Sequence, residues 1–372
     1  MVRVGKGWGD SLEQAVEEAA QAARDPQLIL FFSKPGTLEK AAGLVADKFP
    51  DIPTMGLGTV AVLNDGTVEE PEILLVSFEE EYRIVTGLIR GLDECPVQYA
   101  FQFERDAASI EAGDSDSVCI EYCTNSEEML VTTLTALLDK FSIPLVGATA
   151  FEGVERMGHV QVAYCGEVYG NACVYALIKN LRGKVRTYYE NIYTRTEYTV
   201  HQVTKADPEN RAIIELDGRP AADVYCDAIL ITRDQITTAN SRYPFGRVLG
   251  TRVFVADVAK VLPDGSLYCN KRINTNDAIC FMDYGRYREV ARETIERAKR
   301  ENPGCYFVLT GDCIHRYWLY QSEKFLETHV ANLHQLGTHV GNICGGEQYH
   351  HQHVNQGLVM TVFSREAGEG EA

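Results

Sequence analysis

The chain has 372 residues, enough to bury a sizeable core, and its length favours two domains over one. Its formal net charge is −18, from 35 Lys and Arg residues against 53 Asp and Glu residues. A surface this acidic repels phosphate backbones and anionic lipid headgroups, so we expect neither a nucleic-acid partner nor a membrane partner. The sequence also lacks an apolar run of about 18 residues or more, the length from which a transmembrane helix is predicted.

The eleven cysteines are scattered along the chain, and no two are arranged as C-x-x-C. This spacing predicts neither a paired zinc framework nor a thioredoxin-type redox motif. Most of them fall inside apolar runs, as Cys173 and Cys305 do. We therefore expect buried, reduced thiols and a cytoplasmic location.

Strand-length apolar runs alternate with amphipathic helices in the first half of the chain. In chain order, the pattern predicts a helix over 12–23, a strand at Leu28–Phe32, a helix over 38–49, and strands at 59–63 and 72–78 around the turn Asn64-Asp65-Gly66. Further on, it predicts a strand at Val118–Tyr122, a helix over 127–138, a strand from Pro144 to Ala150, and strands near 159–164 and 172–178.

The basic, polar stretch Lys179–Thr196 is interpreted as the domain boundary. The predicted domains are residues 1–190 and 191–365, followed by a disordered tail over 366–372. In the second half, the pattern predicts strands at 245–255, 277–283, 305–310 and 358–363, helices over 287–298 and 326–333, and a hairpin at Asp264-Gly265.

Helices alternating with strands, together with hairpin signals, predict an α/β (α+β mixed) fold class. We expect two domains whose mixed or antiparallel sheets are covered by helices. A single all-parallel sheet is not expected, because the hairpins require antiparallel pairs.

A weak internal repeat accompanies this pattern. Three times, a strand and an amphipathic helix lead to a glycine-containing break, at Gly56-Leu57-Gly58, Gly147-Ala148-Thr149 and Gly341-Asn342-Ile343. Glycine at such places permits close approach of a ligand to the backbone. The alternative interpretation is tight packing of a helix on a sheet.

Arg316 is the first candidate for ligand binding. It follows the apolar strand 305–310 and the turn Gly311-Asp312. A guanidinium is always charged, and its planar fork matches a carboxylate. The alternative is a structural salt bridge with Glu347 or Asp312.

Cys313 and His315 are candidates for a nucleophile and its base, because residues two apart on a strand share a face. Catalysis is the minority hypothesis, since an activated thiolate also needs a positive surrounding and an orienting third group. The alternative is a packed cysteine beside a pocket-wall histidine.

His350, His351 and His353, with Glu347 and Cys344 nearby, form the densest group of metal-capable residues. Such a set suits Zn²⁺, and one imidazole could instead ligate haem iron. The spacing H-H-x-H matches no strong zinc pattern, so metal or haem remains a minority hypothesis beside a polar pocket lining.

Several segments resemble the FIST family, a two-part (N and C) sensory module. The most specific is Glu215–Tyr225, with Asp217-Gly218-Arg219-Pro220-Ala221 at its centre. The others are Leu28–Phe32 with Gly56–Thr59, Pro144–Ala150, Cys313 with Arg316, the turn Gly345-Gly346-Glu347, and the His-rich strand to Asn355-Gln356. The resemblance covers roughly residues 26–365. A closing threonine typical of the family is replaced by Gly357.

This resemblance implies a cytoplasmic, non-catalytic sensor of small ligands, with amino acids or small organic acids favoured. We expect no cofactor, with haem, which some family members bind, or Zn²⁺ as the minority hypothesis, and we expect a separate signalling protein as output partner. The residues expected to bind the ligand are Cys313, Arg316, Glu347, His351 and Asn355. The alternatives are a haem- or metal-binding sensor and a Cys/His enzyme.

Overall fold

The computed structural model describes residues 1–196 and 199–365. The predicted tail over 366–372 lies outside these residues. The chain divides into two compact units. The first contains 1–189, 294–352 and 358–365, and the second contains 190–293 and 353–357. The predicted domains differ from these units, because most of the described chain after residue 293 returns to the first unit, so that 190–293 is an insertion within it.

Three six-stranded sheets form the first unit, with strands numbered in chain order. The first sheet has the order β1 (Val2–Gly7), β6 (Ile73–Phe78), β2 (Leu28–Ser33), β3 (Thr54–Gly58), β10 (Val162–Tyr164), β11 (Glu167–Tyr169). The second has the order β7 (Tyr82–Arg90), β12 (Ala172–Asn180), β8 (Ser117–Cys123), β9 (Leu145–Thr149), β25 (Glu347–Tyr349), β26 (Gln352–Val354). The third has the order β13 (Gly183–Glu190), β27 (Leu358–Arg365), β23 (Cys305–Cys313), β24 (Thr338–Cys344), β4 (Val62–Asn64), β5 (Thr67–Glu69).

One nine-stranded sheet forms the second unit. Its main path is β19 (Arg252–Ala256), β18 (Phe245–Leu249), β22 (Ala278–Asp283), β15 (His201–Asp207), β16 (Ala212–Leu216), β21 (Leu267–Cys269), β20 (Val258–Val261), while β14 (Thr194–Arg195) pairs with β22 and β17 (Arg219–Pro220) with β16. These pairs are antiparallel. The hairpin predicted at Asp264-Gly265 is confirmed as the connection between β20 and β21.

Nine α-helices occur in the described part of the chain. They are α1 (Leu12–Ala20), α2 (Leu38–Lys48), α3 (Ala100–Ser109), α4 (Glu127–Leu138), α5 (Ala221–Ile229), α6 (Ile236–Ala239), α7 (Tyr287–Glu301), α8 (Ile314–Ser322) and α9 (Leu326–His334). Sheets of mixed and antiparallel strands combined with helices in two units confirm the predicted fold class. No helix among the described residues has a stretch long and apolar enough to cross a membrane.

The internal repeat is confirmed as three parallel strand pairs, one at the centre of each sheet of the first unit. β2 pairs with β3, β8 with β9, and β23 with β24, each joined through helices. We call these the first, second and third repeat. Each is followed by a hairpin that joins the sheet of another repeat: β4–β5 the third sheet, β10–β11 the first, and β25–β26 the second.

The hairpin exchange corrects one sequence-based expectation. The turn Asn64-Asp65-Gly66 does form a hairpin, but it connects β4 to β5. The strand predicted over 72–78 is β6, which pairs instead with β1 and β2 in the first sheet.

The repeat glycines are explained by packing against the neighbouring strand. A Cβ atom at Gly56, Gly147 or Gly341 would lie 2.7 Å from the Phe31 ring, 2.0 Å from Glu121 Oε1 and 2.3 Å from Thr310 Oγ1, respectively. Each of these neighbours is the residue directly in register on the parallel partner strand. The close approach that these glycines permit is therefore between neighbouring strands, and it is not the packing of a helix on a sheet that the sequence suggested.

Candidate functional site at the converging strand ends

The carboxyl ends of the three parallel pairs meet within the first unit. The amide of Ile343, in β24, donates to Thr59 Oγ1 over 3.1 Å. Thr59 also forms an isolated parallel bridge with Phe151, which follows β9. The amide of Thr149, at the end of β9, donates to the carbonyl of Gly346 over 2.8 Å. Because ligands in open α/β sheets bind outside the carboxyl ends of the strands, this region is the candidate functional site.

Equivalent residues lie at the carboxyl end of the first strand of each pair, as its last residue or its last but one. Ser33, Cys123 and Asp312 each lie two residues beyond the side chain that faces the repeat glycine. All three are buried. The three repeats thus place different chemistry at the same backbone position, and they can be compared directly.

In the third repeat, this position is filled by a buried charged network. Asp312 Oδ1 accepts a hydrogen bond from Arg316 Nε over 2.9 Å, and its Oδ2 lies 2.8 Å from His329 Nε2. Arg316 is completely buried, and its guanidinium carbon lies 5.0 Å from the centroid of the Tyr320 ring. Burial opposes ionisation of Asp312, but the Arg316 charge and the two hydrogen bonds outweigh it and lower the pKa of that carboxyl.

The network ties α8 and α9 to the end of β23, because Arg316 lies on α8 and His329 on α9. Asp312, one of the two partners considered from the sequence for a structural Arg316 salt bridge, forms that salt bridge.

Cys313 and His315 are not on one strand. β23 ends at Cys313, and the following α8 begins at Ile314. The expectation of a shared strand face is therefore wrong, because Cys313 ends the strand and His315 lies in the first turn of the helix. Cys313 is buried, whereas the half-buried His315 ring lies 5.7 Å from that of Trp318.

Cys344 and Glu347 lie together, as their sequence proximity indicated. The Cys344 thiol donates to Glu347 Oε1 over 3.4 Å, and both side chains are fully buried. Burial raises the pKa of Cys344 well above its usual value, and the negative Glu347 and nearby Cys313 add to this. A thiol held in its neutral form is a poor nucleophile.

The three clustered histidines face different neighbours. His350 Nε2 lies 3.2 Å from Thr187 Oγ1, the exposed His351 Nε2 lies 3.6 Å from Asp139 Oδ1, and the buried His353 Nε2 lies 3.3 Å from Asn355 Nδ2. His353 and Asn355 belong to the second unit, whereas the other predicted site residues belong to the first. Across residues 1–196 and 199–365, no group of three or more His, Cys, Asp or Glu side chains is arranged to hold a metal ion.

In the second repeat, neutral and acidic groups fill the equivalent region. Burial raises the pKa of Glu121 to about 8, and the Cys173 thiol donates to its Oε2 over 3.4 Å. Thr149 Oγ1 donates to Glu127 Oε1 over 3.2 Å and accepts from Gln348 Nε2 over 3.0 Å.

In the first repeat, the equivalent region is a cavity of about 230 Å³. Its wall is built from the ends of β2 and β3 and the loops beside them: Phe32, Ser33, Lys34, Pro35, Thr59, Val60, Ala61, Val62, Glu70, Pro71, Glu152 and Glu155. Ser33 and Glu152 are each 2% exposed. The carboxyl ends of β2 and β3 thus border a space that a small molecule can occupy.

Sequence reasoning missed His329, Ser33 and Glu152, and it named Asp312 only as an alternative partner of Arg316. A usable signal existed for Ser33, since it is the polar residue that ends a buried apolar strand. Glu152 and His329 carried no local signal, because only the tertiary fold brings them to the strand ends.

Two family models match the chain. The FIST N domain matches residues 27–219, and the FIST C domain matches residues 221–350. Together they cover most of the sequence. No curated protein gives a significant match.

Proposed function

Because the chain belongs to the FIST family, whose domains are sensory domains of signal transduction proteins, we propose that it senses a small molecule, with an amino acid or a small organic acid favoured. The observation that carries this proposal is the cavity at the carboxyl ends of β2 and β3. Its volume, about 230 Å³, is close to the lower end of known ligand pockets.

The comparison of the three repeats supports a binding role for this cavity. In the third repeat, Arg316 and His329 satisfy the carboxylate at the strand end. In the first repeat, polar groups line open space instead. In the first repeat, a ligand would supply the polar partners that Arg316 and His329 supply in the third.

In this proposal, the protein binds its ligand in the cytoplasm, without catalysis and without a cofactor. All eleven cysteines are free thiols, which suits a reducing compartment. The buried thiols Cys123, Cys173 and Cys344 have raised pKa values, which favours structural over nucleophilic roles. We further propose that a separate signalling protein reads the ligand-bound state.

Arg316 has a different role in this proposal from the one the sequence indicated. Its side chain holds Asp312 and is completely buried, so it acts as a positioning residue for α8. The ligand's charged groups are met by the cavity wall of the first repeat.

The test is a thermal-shift screen of the full chain against the twenty amino acids and a set of small organic acids. At concentrations about 100 times Kd, a binder should stabilise the fold by about 2.7 kcal/mol, which the melting temperature registers. Calorimetry should then confirm a single site. A screen in which neither class shifts the melting temperature would contradict the proposal.

A further inference from the structure

We propose that the cavity of the first repeat recognises an ammonium group, with Glu152 as its anionic partner and Ser33 as a second polar contact. This inference deepens the proposed function and rests on it. It narrows the ligand to a small compound with a protonated amine.

Ser33 provides the first observation. Its side chain is 2% exposed and lines the cavity, and its Oγ has no hydrogen-bond partner among the described residues. Buried hydroxyls are nearly always hydrogen-bonded, and one left unsatisfied costs stability. An orphan hydroxyl facing a cavity is explained if a ligand supplies the missing bond.

Glu152 provides the second observation. Its Oε2 accepts from the Gly36 amide over 2.7 Å and lies 3.0 Å from Arg156 Nε. These two contacts fix the buried carboxylate in one orientation, next to Gly58, where a Cβ would lie 2.6 Å from the Glu152 carboxyl carbon. Its Oε1 accepts no hydrogen bond from the described residues and is therefore able to accept one from a ligand.

Charge selects the ligand class. The wall of the cavity carries three carboxylates, Glu70, Glu152 and Glu155, against one ammonium, Lys34. Lys34 is paired with Glu72 and Glu152 with Arg156, so the excess negative charge of the wall comes from Glu70 and Glu155. A ligand that is only an anion would meet net repulsion here, whereas a protonated amine meets charge-assisted acceptors.

Two kinds of compound share this chemistry: amino acids and simple amines. Lys34 provides a cation that a ligand carboxylate could approach, so an amino acid satisfies both signs of charge. The matched probes L-alanine, ethylamine and propionate separate these cases, because they share a short carbon chain and differ in which charged group they carry.

The experiment measures binding of these three probes, the other amino acids and putrescine by isothermal titration calorimetry. The wild-type chain should bind at least one ammonium compound and should not bind propionate. Glu152→Gln keeps an oxygen for the Gly36 amide but removes the charge, and it should weaken binding about ten- to hundredfold. Ser33→Ala should weaken it about five- to tenfold.

Two further variants keep the test independent of folding. Glu155→Gln changes an exposed wall residue, so its fold should be intact while its affinity falls. Glu80→Gln changes an exposed residue at the opposite end of the first sheet and should leave affinity unchanged.

The outcomes separate the inference from the proposed function. Binding of organic acids alone, or binding of an ammonium compound at wild-type affinity by folded Glu152→Gln and Ser33→Ala proteins, would overturn the ammonium site while small-ligand sensing stands. Failure of every amino acid, amine and acid to bind would overturn both.

Discussion

The first and third repeats share a backbone arrangement, but they differ in the residues and the space at the end of the first strand. In the third, the strand end carries Asp312, and its charge is matched from within the chain by Arg316 and His329. In the first, the strand end carries the neutral Ser33, and the space beside it is a cavity. Asp312 is therefore part of the core, whereas Ser33 lies beside a space that a ligand can occupy.

This difference teaches what a polar strand end can do in a repeated fold. A buried charge requires a partner, because an uncompensated one is very costly. A buried hydroxyl is less costly to leave unsatisfied, so the ligand-free protein can tolerate one that bonds only to a ligand. Substitutions in the third repeat should therefore act on stability, and those in the first should act on binding.

Arg316→Ala should have the largest effect on stability. It leaves Asp312 as a buried carboxylate without its guanidinium, and breaking a buried pair costs about 3–5 kcal/mol. The free energy of unfolding from denaturant titration measures this. Arg182→Ala, at an exposed position, is the control and should stay within about 0.5 kcal/mol. If Arg316→Ala costs less than the control, the third repeat is not held together by its charges.

Gly147→Ala should destabilise by about 1–3 kcal/mol, since the new Cβ would lie 2.0 Å from Glu121 Oε1. Gly170→Ala is a matched control, because a Cβ there meets nothing within 4 Å. Combining Gly147→Ala with Glu121→Ala should cost less than the sum of the two single changes, because truncation at residue 121 makes room. Strict additivity would show that the two residues do not share the space.

The sequence carried enough information to predict the three strand–helix–strand repeats, because each is a local pattern of apolar periods and breaks. It did not predict the exchange of hairpins between sheets, since β4–β5 pairs with β24, far away in the chain. The insertion of the second unit was missed for the same reason. Periodicity reports which face of an element is apolar, and it does not report which strand lies beside it.

The candidate site shows the same limit. Arg316 was singled out by its chemistry, and its structural partner Asp312 was among the alternatives. Its place on a helix was missed, because Gly311-Asp312 was interpreted as a turn, whereas both residues lie inside the strand that leads directly into the helix. Glu152 could not be found from the sequence, since its contact with Gly36 joins residues in different repeats.

Glu121→Gln should change the pH dependence of stability. Burial raises the folded-state pKa of Glu121 from 4.5 to about 8, so the folded state keeps a proton that the unfolded state loses. The contribution of Glu121 to the free energy of unfolding is fully present below pH 4.5 and is lost as pH rises towards 8. Between pH 6 and pH 7, the stability of wild type relative to Glu121→Gln should fall by about 1.4 kcal/mol. Parallel stability curves over this interval would show that Glu121 is ionised in the folded protein.

Ser33→Ala should have the smallest effect on stability and is the sharpest test of the contrast. The Ser33 hydroxyl makes no hydrogen bond within the described residues, so its removal breaks no bond and should change the free energy of unfolding by less than about 0.5 kcal/mol. Ser117 is the matched control, because it is equally buried but donates to Asp116 Oδ1 over 2.6 Å. Ser117→Ala should therefore cost about 1 kcal/mol.

If Ser33→Ala instead costs as much as Ser117→Ala, the hydroxyl is already satisfied in the free protein, by an ordered water or by a shift of the cavity wall. The first repeat would then resemble the third, with its polar strand end committed to the fold. If Ser33→Ala is neutral in the free protein yet lowers the stabilisation gained from an ammonium ligand, the hydroxyl serves binding alone.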